Sequence, residues 1–343
     1  MPLKPLPGFR SLETHHCVTG SLRHVYVFHK HPISEEMLLG LGAGVGFVYW
    51  HMQGQPPFLG GRANVGRPGE EGLEITAGRR TGVQVNVTRT ASAKKAEASL
   101  LALLEAREPV MLQVDMGYLP YFDFPEEYHF GGHVVVAAGY DAESGTALIA
   151  DRDAPLHPVS LADLALARGS RFKPFPPQHA WYTFDFSGRR APEPAEVWSA
   201  IRTVTAGLLE PPIANLGVKG IRKAAGLLPR WPESMKGKEL RGACFNGYIM
   251  IDATGGTGGG LFRYMYARFL LEAQRLTGER RLRDVAHELI DAGGRWQVVA
   301  ETLHAASRAR DPRARLKEAG EVLAALADCE TQAWERLAAV AGG

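Results

Sequence analysis

The apolar pattern of this chain changes abruptly near residue 190, which confines it to folds that join two differently built parts. Before that point, short strand-like stretches alternate with brief helical ones. VQVNV (83–87) alternates apolar and polar residues, as a half-buried strand does. VMLQVDM (110–116) reads as a buried strand, and GFVYWHM as a strand with aromatic faces. HVVVAAGYD and TALIADRD form two strands joined by a turn through Asp141 and Gly145. From Cys17 to about Lys30, Val18, Leu22 and Val25 recur at helical spacing. Ser34 with Glu35 and Glu36 opens a short helix, because a hydroxyl cap and an acidic first turn suit the helix dipole. AEASLLALLEA (96–106) is strongly amphipathic, and Pro109 lies just past its end.

Beyond GRRAPEPAEVW (188–198), a linker-like stretch with two prolines, nearly everything is helical. GLFRYMYARFLLEAQRL, RLRDVAHELIDAG, WQVVAETLHAASRA and a run from about Arg313 to Val340 carry the pattern. The expectation is an α+β domain over residues 1–190, with a mainly antiparallel sheet, followed by an all-α domain of four to six helices over 195–343. A chain of 343 residues is long for a single core and accommodates both.

Charge and cysteine usage narrow the function classes. The 39 basic and 37 acidic residues are interspersed, and a net charge of +2 gives no footprint for nucleic acid. Three cysteines, at 17, 244 and 329, are too few and too scattered for a disulfide framework. MPLKPLPGFRSLETHH lacks an apolar signal core, and no run of about 18 apolar residues offers a membrane span. A cytoplasmic protein with no membrane partner is expected. His15 and His16 are adjacent without a third spaced ligand, and HELID (287–291) has Asp291 where a zinc helix needs histidine. Neither motif argues for a metal.

Cys17, His133 and Asp151 are the candidate catalytic set. A helix N-terminus and a nearby imidazole both favour a thiolate, and the imidazole needs an acceptor on its other nitrogen. If the strands HVVVAAGYD and ALIAD pair as a hairpin, their turn-distal ends bring His133 beside Asp151. Asp153, two residues on, points to the same face and competes for the role. Asp151 is favoured because it directly ends the apolar run. Asp115, Tyr118 and Tyr121 follow a buried strand and are candidate walls of a substrate pocket, where a carboxylate would favour a cationic amine.

HHCVTGSLRHVYV, SEEMLLGLGAGVGFVY, EPVMLQVDMGYLPYF and GGHVVVAAGYD together resemble the butirosin-biosynthesis protein H N-terminal family, a branch of the papain-like, C39-peptidase-like fold. GTGGGLFRYMYARFLLEA and LGVKGIRKAAGLL resemble the helical DUF4872-type domain usually found behind it. The resemblance implies a papain-like cysteine domain and an acyltransferase. Such an enzyme takes an acyl group from a carrier-protein or CoA thioester to an amine of a small molecule, in specialised-metabolite biosynthesis. By position, Cys17 would carry the acyl group, His133 would act as base and then acid, and Asp151 would orient it. No cofactor of its own is implied, since phosphopantetheine arrives with the donor, and homo-oligomers fit the pattern.

Papain-like enzymes also place a glutamine six residues before the nucleophile as an oxyanion donor. Here that position is Ser11, and residues 1–17 contain no glutamine. The Cys17 backbone N–H with His16, or with a donor from elsewhere, must then serve. That departure weakens the rival reading as a cysteine peptidase or amidase more than it weakens acyl transfer. A third reading, a non-catalytic binding protein on a protease-like fold, is opposed by the complete Cys17–His133–Asp151 set.

Overall fold

The computed structural model describes residues 3–52, 56–66, 71–125 and 127–342. The chain is α+β and separates into two compact units, one of residues 1–38 and 81–191, the other of 39–80 and 192–343.

In the first unit, six strands form one antiparallel sheet in the order 84–88, 181–185, 110–114, 133–141, 146–150 and 156–160. VQVNV enters it as Gln84–Thr88, and the expected hairpin is present as His133–Asp141 against Thr146–Ala150. Seven consecutive residues of the first hairpin strand, His133–Gly139, are buried, the signature of a strand covered on both faces. Helices Cys17–Phe28 and Ala93–Glu105 both pack on it. The helix that begins at Cys17 is tied to this strand by Ser21 Oγ, which donates to Val134 O at 3.2 Å. Just upstream, Thr14 N donates to Arg152 O at 2.8 Å. The approach to Cys17 is thereby stitched to the residue that follows Asp151.

The second unit takes in Leu39–Arg80, whose place in the sequence lies inside the first expected domain. The reason is apolar. Hairpin Val45–Trp50/Phe58–Arg62 presents Phe47, Tyr49 and Leu59 to the same buried cluster as Ile221, Trp231, Trp296, Leu303 and Leu323. Tyr49 is anchored further, because its hydroxyl accepts from Trp231 Nε1 at 3.0 Å and its carbonyl accepts from Asn215 Nδ2 at 2.8 Å. Beyond residue 192 the α-helices run Pro194–Leu209, Gly217–Leu227, Trp231–Ser234, Gly237–Ile251, Arg263–Thr277, Arg281–Arg308 and Arg313–Gly342. Among the described residues of that stretch there are seven α-helices where four to six are expected, and two segments expected as separate helices are fused. Gly293 and Gly294 sit inside the single helix Arg281–Arg308. A Cβ on Gly293 would stand 2.5 Å from the Tyr264 ring, so this glycine permits close packing instead of ending a helix. Among the described residues, no helix is long and apolar enough to cross a membrane.

The centre of this unit is ionic. Arg263 and Glu330 are both 0 % exposed and form a two-pronged pair, Nε to Oε1 at 2.8 Å and Nη2 to Oε2 at 2.7 Å. Trp296 and Trp334 also donate to the carboxylate, at 2.5 and 2.9 Å, while their rings lie 5.7 and 5.8 Å from the guanidinium carbon. Arg263 Nη1 donates to the carbonyls of Gly46 and Leu261, at 2.9 and 3.0 Å. Nearly every donor and acceptor is used, which is what makes a fully buried pair tolerable. Glu330→Gln keeps the shape but strands the buried cation. We expect a loss of about 3 kcal/mol or more in urea unfolding followed by tryptophan fluorescence, and a midpoint equal to that of the parent protein would refute this account of the core.

Candidate active site

Helix Cys17–Phe28 starts at the thiol itself, so Cys17 stands where the unpaired N–H groups and the positive end of the helix dipole lie. His16 is the residue before the first turn and caps it with no side-chain bond. The cap comes from elsewhere. Glu35, at the start of the next helix and 1 % exposed, accepts from His15 N at 2.9 Å, His16 N at 2.7 Å and Thr19 Oγ1 at 2.9 Å. A buried carboxylate thus holds the backbone immediately before the thiol. The sequence marks Glu35 only as a first-turn acid of its own helix. Its reach back to residue 15 is a tertiary contact with no local signal.

His133 Nε2 lies 2.7 Å from Asp151 Oδ2, with both side chains buried. Nδ1 is the nitrogen left for Cys17, and thiol and imidazole are near enough for each to shift the other's titration. As a residue, Cys17 is half-buried. The register explains how this pair forms. The last paired residues of the hairpin are Val136 and Ala150, so His133 and Asp151 both project past the end of the ladder. Asp151 Oδ1 accepts from Arg152 N at 2.8 Å. Asp153, the competing carboxylate, is turned to His157 Nε2 at 2.8 and 3.0 Å.

The electrostatics favour an ion pair. Burial by itself would push the Cys17 thiol up, but the charge of His16 and hydrogen bonds with His133 and His16 bring it well below its ordinary value. His16 Nδ1 is 4.0 Å from Sγ. Burial opposes charge on His133, yet the Asp151 carboxylate outweighs it and raises the imidazole to about 9. Asp151 is lowered to about 2, against its own burial, by the His133 charge and by hydrogen bonds from His133 and Tyr121. A thiolate beside an imidazolium is the form these shifts select over neutral pH. Such a pair can attack an electrophilic carbonyl and return a proton to the leaving group.

The remaining expected residues divide. Tyr121 is next to the triad, its hydroxyl donating to Asp151 Oδ2 at 2.8 Å. His16 borders the sulfur. Asp115 is 0 % exposed, and both its oxygens are occupied. Oδ1 accepts from Gly117 N at 3.0 Å and Phe130 N at 2.9 Å, while Oδ2 meets Ser170 Oγ at 2.5 Å and His129 Nδ1 at 3.1 Å. It clamps the aromatic loop and has no free oxygen for an amine. Tyr118 packs on the His129 ring, 5.2 Å between centroids. Phe122, which the sequence reading did not single out, covers His133 edge-on at 5.8 Å. Among the described residues, no group of three or more His, Cys, Asp or Glu side chains is arranged to hold a metal.

Two thiols of opposite character make a direct test. Burial pushes Cys244 up to about 11, whereas Cys17 is lowered. Iodoacetamide at pH 6 should therefore modify Cys17 well before Cys244, and His133→Ala should slow Cys17 labelling tenfold or more, read by peptide mass spectrometry. Equal labelling of the two thiols would contradict the ion pair. Asp151 has a folded pKa below its ordinary 3.8, so its stabilisation is complete above pH 3.8 and disappears as pH falls through about 2. Between pH 4 and 2 the parent protein should lose more stability than Asp151→Asn does, measured by urea midpoint.

The chain matches the family described as butirosin biosynthesis protein H, N-terminal, over residues 16–152. It matches the domain of unknown function DUF4872 over residues 162–337. No curated protein matches it.

Proposed function

Since the chain belongs to the family that joins a butirosin biosynthesis protein H N-terminal region to a DUF4872 domain, we propose that it is a biosynthetic acyltransferase working through an acyl-Cys17 intermediate. The observation that carries this reading is the bridging His133, bonded to Asp151 on one nitrogen and left with the other for a thiol at a helix start. Butirosin biosynthesis, for which the N-terminal family is named, points to specialised-metabolite biosynthesis, and the donor we assign is a carrier-protein or CoA thioester.

The steps follow from the resting ion pair. Cys17 thiolate attacks the thioester carbonyl carbon, and the oxyanion formed takes hydrogen bonds from the Cys17 N–H and from His16. The carbon–sulfur bond of the donor breaks, and its sulfur leaves with the proton of His133. The donor departs as a thiol, leaving acyl-Cys17 and a neutral imidazole. A neutral amine then attacks the acyl carbon and gives its proton to His133. Collapse expels the Cys17 thiolate and restores the starting pair. Asp151 holds the imidazole in one orientation through both half-reactions and stabilises its charge, without itself taking the proton.

The energetics suit this donor. Thiol-for-thioester exchange is close to neutral, while aminolysis of the acyl-cysteine runs downhill. Amide cleavage would ask more of the oxyanion site. Ser11, at the position where a glutamine donor is absent, directs its hydroxyl to Asp153 O at 3.4 Å. Incubation with the acetyl thioester of N-acetylcysteamine should add one acetyl group to the intact protein. Cys17→Ala should abolish that adduct, and an added amine should discharge it. Hydrolysis of amides by a protein that never forms the adduct would replace acyl transfer with the amidase reading. Full activity in Cys17→Ala would remove the nucleophile assignment altogether.

A further inference from the structure

One oxygen of Asp151 carries two donors. Oδ2 takes His133 Nε2 at 2.7 Å and the Tyr121 hydroxyl at 2.8 Å. We propose that Tyr121 is a positioning residue that sets how strongly Asp151 holds the His133 proton, and that His157 and Asp153 form a second layer fixing Tyr121 in place. The proposal rests on the Cys17–His133–Asp151 reading above.

The Tyr121 ring is held from the side. It stacks on His157 with centroids 4.0 Å apart and planes 18° from parallel, and it leans on Phe122 at 4.7 Å. His157, on strand Leu156–Ser160, is itself pinned through Nε2 to both oxygens of Asp153, at 2.8 and 3.0 Å. A continuous chain therefore runs from Asp153 through His157 and Tyr121 to Asp151, His133 and Cys17. It links the edge strand, the end of its neighbour, the aromatic loop and the nucleophile's helix. Burial and the Asp151 charge push the Tyr121 phenol far above its usual range, so it stays a hydrogen-bond donor wherever the enzyme works.

The direction of the effect follows from charge. A second donor on Oδ2 withdraws negative charge from the oxygen that faces the imidazolium, and so weakens the pull of Asp151 on the His133 proton. Other charged or titratable groups act on this site from every side. Cys17, His16 and, more distantly, His24 belong to the nucleophile's helix and its approach, whereas Arg152 and Asp153 follow Asp151, and His157 stands behind Tyr121. None of them shares Oδ2 as Tyr121 does.

The test is the pH dependence of Cys17 alkylation by iodoacetamide, read by intact mass on the full chain from pH 4 to 11. The parent protein should show two inflections, the lower from thiolate formation and the upper from loss of the His133 proton. In Tyr121→Phe the upper inflection should rise by about half a pH unit or more. Turnover of the acetyl thioester should fall severalfold with KM little changed. His157→Ala, which keeps the hydroxyl but removes its support, should move the upper inflection the same way by less. Tyr140→Phe, which removes an exposed hydroxyl bonded to Glu105, should leave both inflections in place. An upper inflection unmoved in Tyr121→Phe overturns the proposal. Should that variant fail to fold, an unmoved inflection in His157→Ala does so instead. A parent profile identical to that of His133→Ala would instead mean that the triad reading has failed.

Discussion

A single hydrogen bond, His133 Nε2 to Asp151 Oδ2 at 2.7 Å, organises the first unit's chemistry. It orients the ring, leaves Nδ1 for the thiol and keeps a positive charge in a buried place that would otherwise reject it. Its cost is met by topology. The two strands pair antiparallel, their last pair at this end being Val136 with Ala150, so the side chains meet beyond the ladder. The Cys17 helix is then pinned against the same strand by Ser21 and against the Asp151 end by Thr14. Three segments distant in sequence reach one point because each is anchored by its own backbone bonds.

The second unit solves a similar problem with a different balance. Arg263 and Glu330 lie at zero exposure, which only full pairing and two indole donors make bearable. In exchange they fix how helices Arg263–Thr277, Arg281–Arg308 and Arg313–Gly342 face one another, since each contributes a partner to the same carboxylate. Buried charge thus does opposite work in the two units. In one it stands beside a thiol at the start of a helix, and in the other it is closed off completely.

Local periodicity explains what could be seen in advance. The start of the Cys17 helix, strand His133–Asp141 and the amphipathic helix near 96–106 depend on residues one to four apart, and those patterns are written in the chain. What local pattern does not carry shares one cause. Gly293 and Gly294 look like a helix end, yet a tyrosine ring from another helix needs the space. Leu39–Arg80 looks like part of the first domain, yet Phe47, Tyr49 and Leu59 find their apolar partners more than 150 residues downstream. Tyr121 looks like a pocket wall, and Asp115 like a site for an amine, until their hydrogen-bond partners are known.

By itself the sequence determined the α+β class of the fold, the hairpin and helix start that frame the site, and the three residue types from which a thiol–imidazole–carboxylate set can be built. It did so because helix starts, strand alternation and hairpin turns are short-range matters of sterics and burial. The tertiary structure alone decided that Asp151 faces the imidazole while Asp153 turns to His157, and that Glu35 holds the backbone at the start of the Cys17 helix. It alone placed Tyr121 on the carboxylate. These are choices among polar groups of equal chemistry, and a hydrogen bond selects between them over a few tenths of an ångström that no spacing in the chain encodes.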